Sequence, residues 1–160
     1  WPDFFIYNFF LIRNESGRII ACTAPYDTEK SVRRTRVIGY AGRMVALRKL
    51  YNAEALLRGF VPLPKEGECF HYVSLTHFEV DNDDPSLCTD LLRGVYTALQ
   101  KEKLHFIGAF VPEGSPIEKS FSNFRTRKIP MDLYTFVTER SAFFNQDLST
   151  MHPGYEMALH

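Results

Sequence analysis

Apolar residues recur along this chain with two periods, and the clearest switch between them falls in residues 72–111. Tyr72–Val80 is a run of apolar and β-branched residues and reads as a buried strand. Asp81-Asn82-Asp83-Asp84-Pro85-Ser86 interrupts it with acids and turn formers. From about Pro85 to Lys103, Leu87, Leu91, Val95 and Leu99 recur every fourth residue, with Leu92 and Ala98 widening the stripe, which predicts an amphipathic helix. Asp84 and Pro85 supply an N-cap and a first-turn proline. Leu104–Val111 is again a short apolar run. Strand, helix and strand in this order make a βαβ unit, a parallel pair joined by a right-handed crossover.

The flanking pattern is alternately strand-like and helical. Phe4–Arg13 predicts an aromatic-rich strand, Asn14-Glu15-Ser16-Gly17 a turn, and Arg18–Pro25 a second strand, so the pair reads as a hairpin. Arg36–Tyr40 predicts another short strand. Gly42–Gly59 has helical spacing, with Met44, Leu47, Leu50, Tyr51 and Leu57 on a broad face and Gly59 as the stop. Val61–Gly67 is a stiff, proline-bearing connector. Ser115-Pro116-Ile117-Glu118 has the form of a capping box and opens a helix with Ile117, Phe121 and Phe124 on one face. Leu133–Thr138 and Tyr155–Leu159 read as closing strands. The whole is a mixed α/β sheet, mostly antiparallel with a central parallel βαβ unit, in a single domain spanning 1–160.

Composition narrows the possible roles. Nineteen basic and nineteen acidic residues cancel, which argues against a dedicated binder of nucleic acid or of membrane surfaces. Apolar content of 45% with fourteen Phe is a globular signature with an aromatic core. Cys22, Cys69 and Cys88 are scattered and odd in number, which fits a reducing, cytoplasmic compartment and buried small hydrophobes. No apolar run approaches the roughly 20 residues that span a bilayer. The chain opens at Trp1 in mid-pattern, without an initiator Met or signal peptide, and reads as a piece of something longer. His71, His77, His105 and His152 lack zinc spacing, Asp81–Asp84 lacks the glycine and final Glu of a calcium loop, and no Gly-x-Ser-x-Gly occurs, so no metal is expected.

The order of elements resembles the GCN5-related N-acetyltransferase superfamily over residues 4 to about 159. "GECFHYVSLTHFEV" is similar to that family's central strand, "SLCTDLLRGVYTALQKEK" to the helix after it, and "LHFIGAF" to the next strand. The family's opening strand and first two helices have no counterpart before Trp1, as in the second half of a tandem acetyltransferase. The resemblance implies an acyl-CoA-dependent N-acyltransferase moving an acetyl group to a small-molecule or peptide amine. Its cofactor, acetyl-CoA, would lie against Phe78 and Val80, whose backbone would pair with the pantetheine amides. Its pyrophosphate would rest on Ser86, Leu87, Cys88 and Thr89 at the helix start.

The specific motif departs from the family. Its Arg/Gln-x-x-Gly-x-Gly/Ala loop falls here on Asp83, Ser86 and Cys88, so acid stands where phosphate should meet a donor. Carboxylate near phosphate costs about 1 kcal/mol in water-like surroundings and several when shielded. The family's acid Tyr falls on Phe121 or Ser122, with Tyr134 or water as a substitute. A degenerate loop favours the alternative of a non-catalytic acetyltransferase-like binding or interface module. An unrelated α/β interaction domain would need a different sheet order.

His77 and Glu79, two apart on the central strand, are the candidate bases, since both would face one side of the sheet. Arg33, Arg34 and Arg36, and Arg125, Arg127 and Lys128, form two basic clusters that suit a phosphate or an acidic partner. Phe4, Phe5, Tyr7, Tyr26 and Phe60 suit a flat or apolar acceptor. The Phe4–Phe10 face suits docking of a preceding domain or a second copy.

Overall fold

The computed structural model describes residues 4–27, 34–132 and Arg140. Four strands form one mixed sheet in the order β1-β2-β3-β4: β1 is Phe10–Arg13, β2 Ile19–Tyr26, β3 Tyr72–Val80 and β4 Phe106–Ala109. β1 and β2 pair antiparallel, as do β2 and β3, while β3 and β4 run parallel. Helix α1, Arg43–Arg58, lies between β2 and β3, and helix α2, Pro85–Leu99, makes the crossover from β3 to β4. The class is α/β, as the periodicity predicts. β1 and β4 are the outer strands among the described residues, so the parallel pair lies at one side of the sheet. The expected strands Leu133–Thr138 and Tyr155–Leu159 lie outside those residues, as do Arg33, Tyr134 and His152.

The core forms where α2 covers β3. Leu75, Cys88, Leu92, Val95 and Ile117 are buried together, with Phe78, Val80, Ile107 and Phe121 packed around them. The buried stripe of α2 runs through Cys88, Leu91, Leu92 and Val95, whereas Ala98 faces outward. Asp84 caps the helix by accepting from the Ser86 N–H at 2.8 Å, with Pro85 in the first turn.

Several local expectations need correction. The first strand begins only at Phe10, because Asn8 Oδ1 accepts from the Phe5 N–H at 2.7 Å and turns Ile6–Asn8 into a 3-10 helix. Arg36–Tyr40 contributes a bridge, not a strand. α2 ends at Leu99, four residues short of Lys103, and β4 is confined to Phe106–Ala109. Pro116–Asn123 is a 3-10 helix without a Ser115 side-chain cap. Glu118 Oε1 instead accepts from the Gly114 N–H at 3.1 Å, one residue before the cap position, so the reciprocal box does not close.

α1 begins after Gly42 and stops at Gly59, whose φ of 72° is the left-handed conformation that glycine adopts without strain. Its surroundings are unusual. The chain leaves and rejoins the sheet through a narrow neck: Val37 N–H donates to Glu68 O, Gly67 N–H to Val37 O and Phe70 N–H to Thr35 O, around the Arg36–Cys69 bridge. Between these ends α1 rests on its own loops and on Arg125, which reaches Glu54 and Tyr51. The Arg48 guanidinium lies over the Tyr40 ring, Tyr40 Oη donates to Pro64 O, and Asn52 Oδ1 accepts from the Leu63 N–H. Among its residues only Ala55 is fully buried.

Candidate functional site

The parallel pair is short. β4 pairs with Tyr72, Val73, Ser74 and Leu75 and then departs, so among the described residues Thr76–Val80 has a strand partner only on the β2 side. The same half of β3 carries a bulge. Cys22 faces Glu79 and Ala24 faces Thr76, so β3 spends one more residue than β2, and His77 sits at φ 49°. Alternation slips there, and Leu75 and Phe78, three apart, both reach the core beneath α2.

The slip sets the surroundings of both candidate bases. His77 stacks on Phe4 at 5.4 Å between ring centroids, and Phe9 meets it edge-on at 5.3 Å. Its Nδ1 lies 3.2 Å from Thr76 Oγ1. Tyr26 meets Phe4 edge-on, so His77 belongs to an aromatic cluster at the sheet end. Glu79 is exposed and lies across the ladder from Cys22. Burial, and then the charge of Glu79, raise the Cys22 thiol above its ordinary pKa; burial does the same at Cys88. Both thiols are therefore protonated at neutral pH and poor nucleophiles.

The start of α2 has little left to offer an anion. Asp84 N–H donates to Asp81 O, Pro85 has no N–H, and the Ser86 N–H is taken by the Asp84 carboxylate. That leaves at most the Leu87 N–H of the groups that a helix start presents. Asp81 is paired with Arg18, and Asp83 stands in the left-handed region at φ 49°. The expected cofactor residues separate accordingly. Phe78 and Val80 pack on the core cluster, Cys88 is fully buried, and Leu87 is half-buried.

Ser86 and Thr89 line a cavity of about 400 Å³ between α2 and the 3-10 helix Pro116–Asn123, together with Asp90, Arg93, Lys119 and Asn123. Ser120 Oγ donates to Pro85 O at 2.7 Å, clamping the two elements together beside it. The periodicity of residues 115–124 reveals Ile117, Phe121 and Phe124, but not that Lys119 and Asn123 would line one cavity with Arg93. That shared lining depends on the helix–helix contact, not on local pattern. Phe121, which with Ser122 stands where the resemblance would put an acid, sets its ring 6.4 Å from Phe78 and closes the core side.

Of the basic clusters, Arg125 bonds with Glu54 and lies over the Tyr51 ring, while Lys128 bonds with Glu118, so both hold the chain together. Of the proposed acceptor aromatics, Phe4 and Tyr26 join the His77 cluster; Phe5 and Tyr7 stack on each other in the open; Phe60 lies just past α1. No group of three or more His, Cys, Asp or Glu that could hold a metal ion occurs among the described residues. No helix among them is long and apolar enough to cross a membrane. No family model, curated protein or solved structure matches the chain.

Proposed function

We propose that this chain is an acetyltransferase-like interface module, a GCN5-related N-acetyltransferase scaffold whose cofactor grip is closed by its own acid. The scaffold reading is supported by two antiparallel pairings followed by a parallel one across α2, with β3 bulged and β4 departing after four residues. The observation that carries the interface reading is the Asp84 carboxylate on the Ser86 N–H. A pyrophosphate needs bare N–H groups at a helix start; here a fixed carboxylate holds the one beside proline. The residues present do not fit that cofactor. The three free cysteines support a reducing, cytoplasmic setting.

Calorimetric titration with acetyl-CoA tests this. The natural chain is expected to give no binding heat, while an Asp83→Gly/Asp84→Gly variant, which frees the Ser86 N–H and removes two charges, gains weak binding. Salt-resistant micromolar binding by the natural chain would sink the proposal. The exposed Glu79, on the half of β3 that β4 has left, favours a second reading. In it the chain is an N-acyltransferase for an amine acceptor, with Glu79 or His77 as base.

A further inference from the structure

α1 turns its apolar side away from the other described residues. Leu50 is 69% exposed, Leu56 84% and Leu57 87%. Arg48 and Ala55, seven residues apart, lie on the side that the flanking loops hold. Opposite them, Ala46, Leu50, Ala53 and Leu57 follow at intervals of four, three and four, the spacing of a helix-pairing seam. A solvated seam on a sixteen-residue helix lacks the tertiary packing that normally holds such a helix.

We propose that α1 pairs antiparallel with α1 of a second copy of this chain. The seam reads small, large, small, large, and is self-complementary when reversed. With a twofold axis passing between Tyr51 and Asn52, Leu50 of one copy packs on Ala53 of the other, and Leu57 on Ala46. Close approach at each alanine makes room for the facing leucine. The borders agree: Lys49 then lies beside Leu56 of the other copy and Glu54 beside Leu47, so no like charges meet. Glu54 is in addition neutralised by Arg58 and Arg125 of its own chain.

The available area sets the strength. Leu47, Leu50, Leu56, Leu57 and Phe60 offer roughly 100 Å² apiece, about 500 Å² per copy, below the ~800 Å² of a standard interface. An area of this size fits a weak, reversible dimer. This surface is separate from the acyl-CoA question, since mass reads one and binding heat the other.

Sedimentation velocity of the 160-residue chain from about 1 to 300 µM tests the inference. The mass is expected to rise from 18.5 kDa to twice that value. Leu50→Glu, at an exposed site that leaves the fold intact by circular dichroism, should weaken association at least tenfold. Leu50→Ala should weaken it too, whereas the exchange Leu50→Ala/Ala53→Leu, which keeps one leucine facing one alanine, should restore it. A monomer at every concentration overturns the proposal. So does a dimer indifferent to Leu50→Glu, or an exchange variant no better than Leu50→Ala.

Discussion

Thr23 and Thr76 carry the burden of a bulge in mid-sheet. An extra residue on β3 displaces regular ladder partners, and side-chain donors take up carbonyls around it. Thr23 Oγ1 donates to Thr76 O and Thr76 Oγ1 to Ala24 O, both at 3.0 Å, in positions fully closed to water. Cys22 Sγ makes a longer contact with His77 O. Thr76→Val preserves shape and removes one donor, so equilibrium denaturation should report a loss of about 1–2 kcal/mol. Thr76→Ser should lose less. Both threonines read in the sequence as ordinary β-branched strand formers. The bulge was not legible, because the residue in the left-handed region is His77 and no glycine marks it.

The 3-10 helix Pro116–Asn123 is an element held at its ends by charge as well as by its apolar face. Lys128 Nζ bonds Glu118 Oε2 at 2.6 Å, and the Gly114 N–H reaches Oε1. The lysine first, then the backbone bond, hold the Glu118 carboxyl below its ordinary pKa. A carboxyl depressed in the fold stabilises it above the unfolded value, near 4.3, and that contribution fades as pH falls through the folded value. Acidification below about pH 4 should therefore loosen this element, seen as shifts in the Phe121 and Phe124 ring resonances. Glu118→Gln should flatten that response. An unchanged response would mean that another carboxyl controls it. At this scale the sequence was informative about α2, where Asp84, Pro85 and the four-residue spacing agree. It misled at Ser115, since a capping-box pattern specifies neither the helix type nor which N–H the glutamate reaches.

For the whole molecule, stability is divided between a packed layer and an appendage. β2, β3 and α2 share the core, so Leu75→Ala, at a site 4% exposed, should cost about 2–5 kcal/mol in global unfolding. α1 should open at a much lower free energy, and amide exchange under native conditions would separate the two: slow in β2 and β3, fast in α1 at concentrations where the chain is monomeric. Hydrophobic period alone located both helices and the βαβ order, because each is a local property. It did not tell which way α1 faces, because Leu47, Leu50 and Leu57 would look the same over a core. The neck at residues 35–37 and 67–70 adds a consequence for how such a chain can be altered. Its two sides already hydrogen-bond like the base of a hairpin. Residues 38–66 can therefore be deleted and the gap closed with a two-residue Asn-Gly turn, leaving the sheet's registers untouched and making the appendage a portable cassette.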